Sequence, residues 1–139
     1  MRLTAGAGVA GVVLAALALA ACQVPPPVGP LPPGNIPELI GTWEGTWAGT
    51  PTTLVLTAQE GGDVSGILTT LERRGPVSTA VRGRLGLRAG RLVMVLTSDT
   101  TYSHDQFDFV TVQADRLEGT ARSFGPGARE GAIVLRRRA

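Results

Sequence analysis

The chain has few of the residues that build most catalytic, metal and nucleotide sites. Its 139 residues include one cysteine, one histidine and no lysine. A single cysteine cannot form an intramolecular disulfide, and a single histidine, His104, excludes multi-histidine metal sites. Gly125-Pro126-Gly127 does not lead into a predicted helix, so no phosphate-binding loop is present. We therefore expect no enzyme, no cofactor and no metal.

Charges of the two signs nearly balance: the chain has 13 basic and 11 acidic residues, and its net charge is +2. This balance gives no electrostatic reason to expect a nucleic-acid partner. Arg136-Arg137-Arg138 is the only basic run. We interpret it as a solvated strand end or frayed tail in preference to a site for anionic lipid or polyanions.

The N-terminus has the three parts of a secretory signal: Arg2, an apolar run over residues 9–19, and small residues before Cys22. Leu19-Ala20-Ala21-Cys22 resembles the lipobox of bacterial lipoproteins. The resemblance implies export, cleavage before Cys22 and a lipid on its thiol that attaches the protein to a bacterial membrane. Gln23, in place of aspartate, implies the outer membrane if the organism has one. The alternative is an uncleaved membrane helix over residues 3–21, which three glycines weaken.

Three segments follow from this interpretation: a signal peptide at 1–21, a lipidated cysteine with a proline-rich tether at 22–38, and a domain at 39–139. Seven of the fifteen residues from Gln23 to Pro37 are proline, which is typical of an extended polyproline-like spacer. Such a spacer reaches roughly 45 Å. A proline-rich recognition segment is the alternative.

After residue 38 the sequence alternates between apolar and polar residues in short runs separated by turn residues, the pattern of antiparallel β structure. The runs are Leu39–Ala48, Thr52–Gln59, Val64–Glu72, Val77–Leu87, Arg91–Thr97, Gln106–Gln113, Arg116–Ser123 and Glu130–Arg137. Short connections join neighbouring antiparallel strands, with one longer loop from Ser98 to Asp105. We predict an all-β fold, an eight-stranded up-and-down meander that closes into a small barrel, with a β-sandwich as the alternative.

The alternation also predicts one apolar face for each strand. The inward sets are Val77, Thr79, Val81, Gly83, Leu85 and Leu87; Leu54, Leu56 and Ala58; Leu92, Met94 and Leu96; and Leu117, Gly119 and Ala121. One apolar face per strand indicates a single shared interior.

Gly41-Thr42-Trp43 opens the first strand and resembles the Gly-x-Trp of the lipocalin and calycin group. The resemblance implies a barrel with the indole across one end and an arginine, Arg136 or Arg122, packed over it. With the barrel, it favours binding of a small apolar or amphipathic ligand in a cavity of a few hundred Å³ open at one end. Trp43, Trp47, Phe107 and Phe109 are the candidate ligand contacts. As the alternative, the aromatic residues fill the core.

A protein-interaction module is the second hypothesis, either an envelope assembly factor or a protease-inhibitor-like barrel with a filled core. It would act through the segment Asn35–Glu38 or through the Ser98–Asp105 loop, where Tyr102 and His104 are candidate partner contacts. Ser103-His104-Asp105 contains the residue types of a catalytic triad, but adjacent residues of an extended chain point to opposite sides. Asp99, His104, Asp105 and Asp108 are interpreted as solvated loop residues rather than a cation site.

Overall fold

The computed structural model describes residues 28–31, 34, 36–100, 103–125 and 128–139, without the side chain of Asp99. Cys22, the signal segment and Tyr102 lie outside the described residues, so the predictions made for them stay predictions. In the part of the chain that is described, no helix has the length and apolar character needed to cross a membrane.

Eight β-strands make up the described domain, and each overlaps one of the predicted runs. They are β1 Gly41–Trp47, β2 Thr50–Glu60, β3 Asp63–Glu72, β4 Gly75–Arg88, β5 Arg91–Asp99, β6 His104–Val112, β7 Arg116–Phe124 and β8 Glu130–Arg137. Each strand is antiparallel to the next along the chain. The predicted all-β meander is confirmed.

The first and last strands pair with each other and close the sheet. Trp43 lies opposite Arg137 and Trp47 lies opposite Ile133 in this antiparallel pair. The eight strands therefore form a closed barrel in chain order, and the sandwich alternative is wrong. Closure stabilises an isolated meander because it leaves no strand edge with unpaired backbone groups.

Two hairpin turns show how local sequence directs the meander. Ala48 and Gly49 between β1 and β2 have φ values of 48° and 82°, and Ala89 and Gly90 between β4 and β5 have 52° and 76°. Two successive positive φ values are those of a type I′ turn, whose twist matches the flanking strands. Glycine adopts this conformation without strain, whereas the alanine in each pair does so at some cost.

The loop between β5 and β6 is shorter than predicted, because the strand pairing continues to its base. Ser98 lies opposite Asp105 and Asp99 lies opposite His104. Inside the barrel the Ser98 hydroxyl donates to Asp105 Oδ2 over 3.0 Å. The connection is therefore residues 100–103, and the polar character of Ser98 and Asp105 misled the prediction.

The predicted inward residues line the barrel interior, with two departures. A bulge between Leu56 and Ala58 shifts the register of β2 and turns Ala58 to the outside. Val77 is 54 % exposed at the rim near the start of β4. The buried core contains Leu39, Trp43, Trp47, Leu54, Leu56, Val64, Leu68, Val81, Leu85, Met94, Leu96, Phe107, Phe109, Val112, Leu117, Ala121, Ile133 and Leu135.

Several strand glycines mark places where neighbouring backbones approach closely. A Cβ added at any of them would overlap a carbonyl oxygen of the adjacent strand; they are Gly45, Gly66, Gly83 and Gly119. The space beside these glycines is therefore occupied by backbone and does not enlarge the barrel interior.

Residues 28–31, here called the strap, lie against the barrel where β4 extends past the end of β3. Gly29 and Leu87 exchange two backbone hydrogen bonds of 2.7 and 3.1 Å. Leu31 is partly buried against the core. The strap belongs to the predicted spacer, so the spacer's free length is shorter than its proline content indicated.

Candidate functional site

One end of the barrel is sealed by Trp43 and the residues around it. Its indole is fully buried, and Nε1 donates to the carbonyl oxygen of Leu39 over 3.0 Å. The guanidinium carbon of Arg137 lies 4.5 Å from the ring centroid, within the range of a cation–π contact. The arginine over the indole is thus Arg137 and neither of the two predicted ones: Arg136 is exposed, and Arg122 lies over Phe124 at 5.6 Å.

Arg137 also joins three parts of the closed end through backbone carbonyls. It donates to Ile40 over 2.9 Å, to Ala114 over 2.6 Å, and to Glu38. Five donors in a rigid plane allow one guanidinium to hold several carbonyls while its face covers a ring. The entry of the chain, the last strand and the β6–β7 turn are therefore held together by one side chain.

The segment before β1 contributes to this seal. The Gln59 side chain accepts from the Leu39 amide over 2.8 Å and donates to the Pro37 carbonyl over 3.0 Å. Leu39 is fully buried in the core, whereas Ile36 is 36 % exposed. The described part of the Asn35–Glu38 segment thus closes its own barrel by backbone contacts.

The middle of the barrel is filled by side chains. Trp43, Phe107 and Phe109 are fully buried, and Met94 and Leu96 are buried beside them. An eight-stranded barrel is just wide enough for its interior to be filled in this way. Of the four predicted ligand contacts, these three lie in the core, and only Trp47 reaches a pocket wall.

A pocket of about 430 Å³ lies at the opposite, open end of the barrel. Trp47 contributes to its wall: the indole is 2 % exposed, donates to the Ala121 carbonyl over 3.3 Å, and meets Phe107 edge-on at 5.1 Å. Leu68 and Val77 are the other apolar lining residues. The polar ones are Thr70, Glu72, Thr79, Thr100, Ser103, Asp105, Ser123 and Arg129.

An ion pair stands at the rim of this pocket. Arg129 donates to both oxygens of Glu72 over 2.9 Å, and the Thr70 hydroxyl donates to Glu72 Oε1 over 3.0 Å. The Arg129 guanidinium carbon lies 5.1 Å from the centroid of Trp47. Trp47 thus has an arginine against its ring, as Trp43 does at the closed end, but this arginine is held by a side chain.

Asp105 is the most unusual polar group in the pocket. It is 8 % exposed, and its Oδ2 accepts from Ser98, which is 2 % exposed. Oδ1 is buried and accepts no hydrogen bond from any described group. A buried carboxylate oxygen without a donor is costly, so Oδ1 calls for a donor from outside the described residues, such as a water, an ion or a ligand.

Sequence reasoning missed this role because it assigned Asp105 to a solvated loop. One signal was available: Asp105, Phe107 and Phe109 are spaced two apart and share the inward face of β6. Extending the alternation two residues toward the N-terminus would have placed the carboxylate inside the barrel.

His104 lies on the other side of β6 from Asp105. Its Nε2 is 3.3 Å from Gln106 Nε2, and its ring lies 6.1 Å from that of Phe124. Ser103 bonds to Thr100 through its hydroxyl at 3.1 Å. Ser103, His104 and Asp105 are thus not assembled as a triad. Among the described residues, no three His, Cys, Asp or Glu side chains are grouped to hold a metal ion.

Two further pockets, of about 320 and 520 Å³, lie on the outer surface of β2 to β5. Ser65, Arg82 and Thr97 line both. Neither contains a buried side chain without a partner. We therefore place the candidate site at the open end of the barrel, although the larger outer pocket exceeds it in volume.

No protein-family model, curated protein or solved structure matches this chain.

Proposed function

We propose that this protein is a membrane-anchored lipoprotein whose lipocalin-like barrel binds a small amphipathic ligand at its open end. In this proposal the protein is a binding module rather than an enzyme, and it needs no cofactor or metal. The observation that carries it is the pocket that combines the Trp47 indole with the buried carboxylate of Asp105.

The lining of the pocket supports an amphipathic ligand. Trp47, Leu68 and Val77 supply apolar surface, while hydroxyls and the Asp105 carboxylate supply polar contacts. Pockets of a few hundred Å³ with a few polar groups are typical of small-molecule sites. A purely apolar ligand would leave the polar groups unpaired, and the middle of the barrel is occupied by buried side chains.

The position of the strap supports one orientation of the pocket relative to the membrane. If Cys22 carries lipid, residues 23–27 are the only chain between the anchor and the strap, and they reach at most about 20 Å. The strap contacts Gly86 and Leu87, at the β4–β5 end of the barrel where Trp43 also lies. The closed end would then face the membrane and the pocket would open away from it.

Intrinsic fluorescence tests the ligand site, because each end of the barrel has one tryptophan. In a Trp43→Phe variant the only indole is that of Trp47, at the pocket. We expect an amphipathic ligand to change its emission in a saturable manner. The matched Trp47→Phe variant keeps the buried Trp43 and should show no change. Equal responses in both variants would contradict binding at the open end.

A Cys22→Ser change tests the anchor. Without the thiol, no diacylglycerol can be attached, so we expect unprocessed precursor and no incorporation of radiolabelled palmitate. A second change, Gln23→Asp, keeps the thiol and should retain palmitate, which controls for effects on export. Palmitate incorporation into the Cys22→Ser variant would refute lipidation at this position.

A protein-interaction module remains the alternative function, and one observation favours it. Ile67 is 46 % exposed and Leu71 is 56 % exposed on the outer face of the β3–β4 hairpin. Exposed apolar side chains of this size are common at protein interfaces. A photo-crosslinking residue at position 71 should then capture one defined envelope protein, and the same residue at position 111 should not. Identical capture from both positions would argue against a specific interface.

A further inference from the structure

We infer that the ligand of the open-end pocket carries a primary ammonium group, which donates to Asp105 Oδ1. This inference rests on the proposed function and specifies its ligand class. Asp105 is 92 % buried, given an exposed fraction of 8 %, and it lines the pocket. Its Oδ1 accepts from no described donor, so a donor from outside the chain would complete it.

The charges of the pocket favour a cation over an anion. Nη2 of Arg129 donates to both carboxylate oxygens of Glu72 over 2.9 Å, so the two charges neutralise each other. The remaining polar lining residues are threonines and serines, which are uncharged. Among the described lining residues, Asp105 is therefore the one charge without a counter-charge. A positive ligand group offsets the cost of burying it, whereas an anionic group would add to that cost.

The hydrogen bonds around Asp105 narrow the choice of cation. The Ser98 hydroxyl already donates to Oδ2, which leaves Oδ1 as the acceptor that needs a donor. A primary ammonium supplies three N–H donors around a compact charge, whereas a quaternary ammonium supplies none. The hydroxyls of Thr70 and Ser123, which line the same pocket, are further acceptors for a ligand.

A metal ion fits this pocket less well than an organic cation. Calcium takes six to eight oxygen ligands, and magnesium requires octahedral geometry with several oxygens. Among the described residues, no group of three metal-binding side chains exists. The apolar lining at Trp47, Leu68 and Val77 also needs a ligand with an apolar part. An alkyl or aryl amine has an apolar part for this lining and an ammonium group for the Asp105 carboxylate.

Four eight-carbon probes separate charge from hydrogen bonding: octylammonium, octyltrimethylammonium, octanol and octanoate. Each is titrated into the Trp43→Phe protein while Trp47 fluorescence is recorded. We expect octylammonium to bind about tenfold or more tightly than octanol, because hydrogen bonds to charged groups are worth more than neutral ones. Octyltrimethylammonium should bind less tightly than octylammonium, and octanoate should bind least.

Variants of Asp105, Glu72 and Arg129 test which charges of the pocket affect octylammonium binding. Asp105→Asn keeps the shape of the side chain and should remove the preference for octylammonium over octanol. Glu72→Gln should weaken octylammonium binding a few-fold, and Arg129→Gln should strengthen it a few-fold, because each changes the net charge of the pocket in the opposite direction. A purely structural role of Asp105 would not produce this ordered series.

Ser98→Ala is the matched control if Asp105→Asn fails to fold. It removes the neighbouring hydroxyl but keeps the carboxylate, so the octylammonium preference should persist, and thermal unfolding checks the fold of each variant. Equal binding of all four probes would overturn the ammonium inference and leave ligand binding at the open end intact. Binding of none of them would overturn both the inference and the proposed function.

Discussion

The two ends of the barrel use the same pair of residue types for different purposes. At the closed end, Arg137 lies over Trp43 and is held by backbone carbonyls of three segments. At the open end, Arg129 lies over Trp47 and is held by the side chain of Glu72. The carbonyl acceptors of Arg137 are fixed in the backbone of the barrel and cannot move away from it. The carboxylate acceptor of Arg129 is on a movable, partly exposed side chain, and such an ion pair breaks at little cost. An arginine–tryptophan contact thus seals the closed end, and a second contact of the same kind borders the pocket at the open end.

The largest expected effect distinguishes the two tryptophans. Trp43→Ala should destabilise the fold by about 3–5 kcal/mol, since it leaves a cavity among fully buried side chains. Trp47→Ala should cost at least about 1 kcal/mol less, because its space opens into the pocket. Denaturant unfolding of both variants measures the difference. Equal losses would mean that the two ends are packed alike.

Loss of the closed-end arginine should likewise destabilise the fold more than loss of the open-end arginine. Arg137→Gln should lower the free energy of unfolding by about 2 kcal/mol, through loss of the cation–π contact and of carbonyl bonds. Arg129→Gln should cost less than about 1 kcal/mol, as expected for a partly exposed pair. Thermal unfolding of the two variants compares them directly. A larger loss for Arg129 would show that the rim pair is structural.

Ser98 offers a test within the open end alone. Ser98→Ala removes the one hydrogen bond of the Asp105 carboxylate to a described group. Leaving a buried acceptor without its donor should cost about 1–2 kcal/mol. The double variant Ser98→Ala with Asp105→Ala should recover part of that loss, because no buried carboxylate remains. Additive losses in the double variant would mean that the two side chains are not coupled.

The smallest expected effect concerns the strap at the closed end. A Cβ at Gly86 would meet the Gly29 carbonyl and the Val28 side chain, so Gly86→Ala should displace the strap. We expect a loss of less than about 1 kcal/mol, since the strap adds two backbone bonds to a complete barrel. Faster hydrogen exchange at the Gly29 and Leu87 amides, with unchanged exchange in the β1–β8 pair, is the expected result. Unchanged exchange at Gly29 would place the strap elsewhere in solution.

The strands were predictable because their signals are local. Alternation within a strand and short connections between strands depend only on neighbours in sequence, and the observed strands agree with the predicted runs to within a few residues. The end of β5 was missed for a physical reason. Ser98 and Asp105 are polar residues that hydrogen-bond to each other inside the barrel, whereas their composition alone indicates a loop.

The candidate site was less predictable than the fold. Of the four predicted ligand contacts, Trp47 lines the open-end pocket, whereas Trp43, Phe107 and Phe109 are packed in the core. Their alternation shows only that they face inward. Whether an inward side chain fills the core or borders a pocket depends on its height along the barrel axis.

The sequence by itself determined the eight strands, the short connections between most of them and the alternating faces, because these depend on residues a few positions apart. The prediction of export and of lipid attachment at Cys22 also depends on the sequence alone. Only the tertiary structure decided which arginine covers which indole and which buried carboxylate oxygen, Asp105 Oδ1, has no donor among the described groups. Glu72 and Arg129 are 57 residues apart. They meet because β1 and β8 close the barrel and bring the two sides of its rim together, which no local pattern encodes.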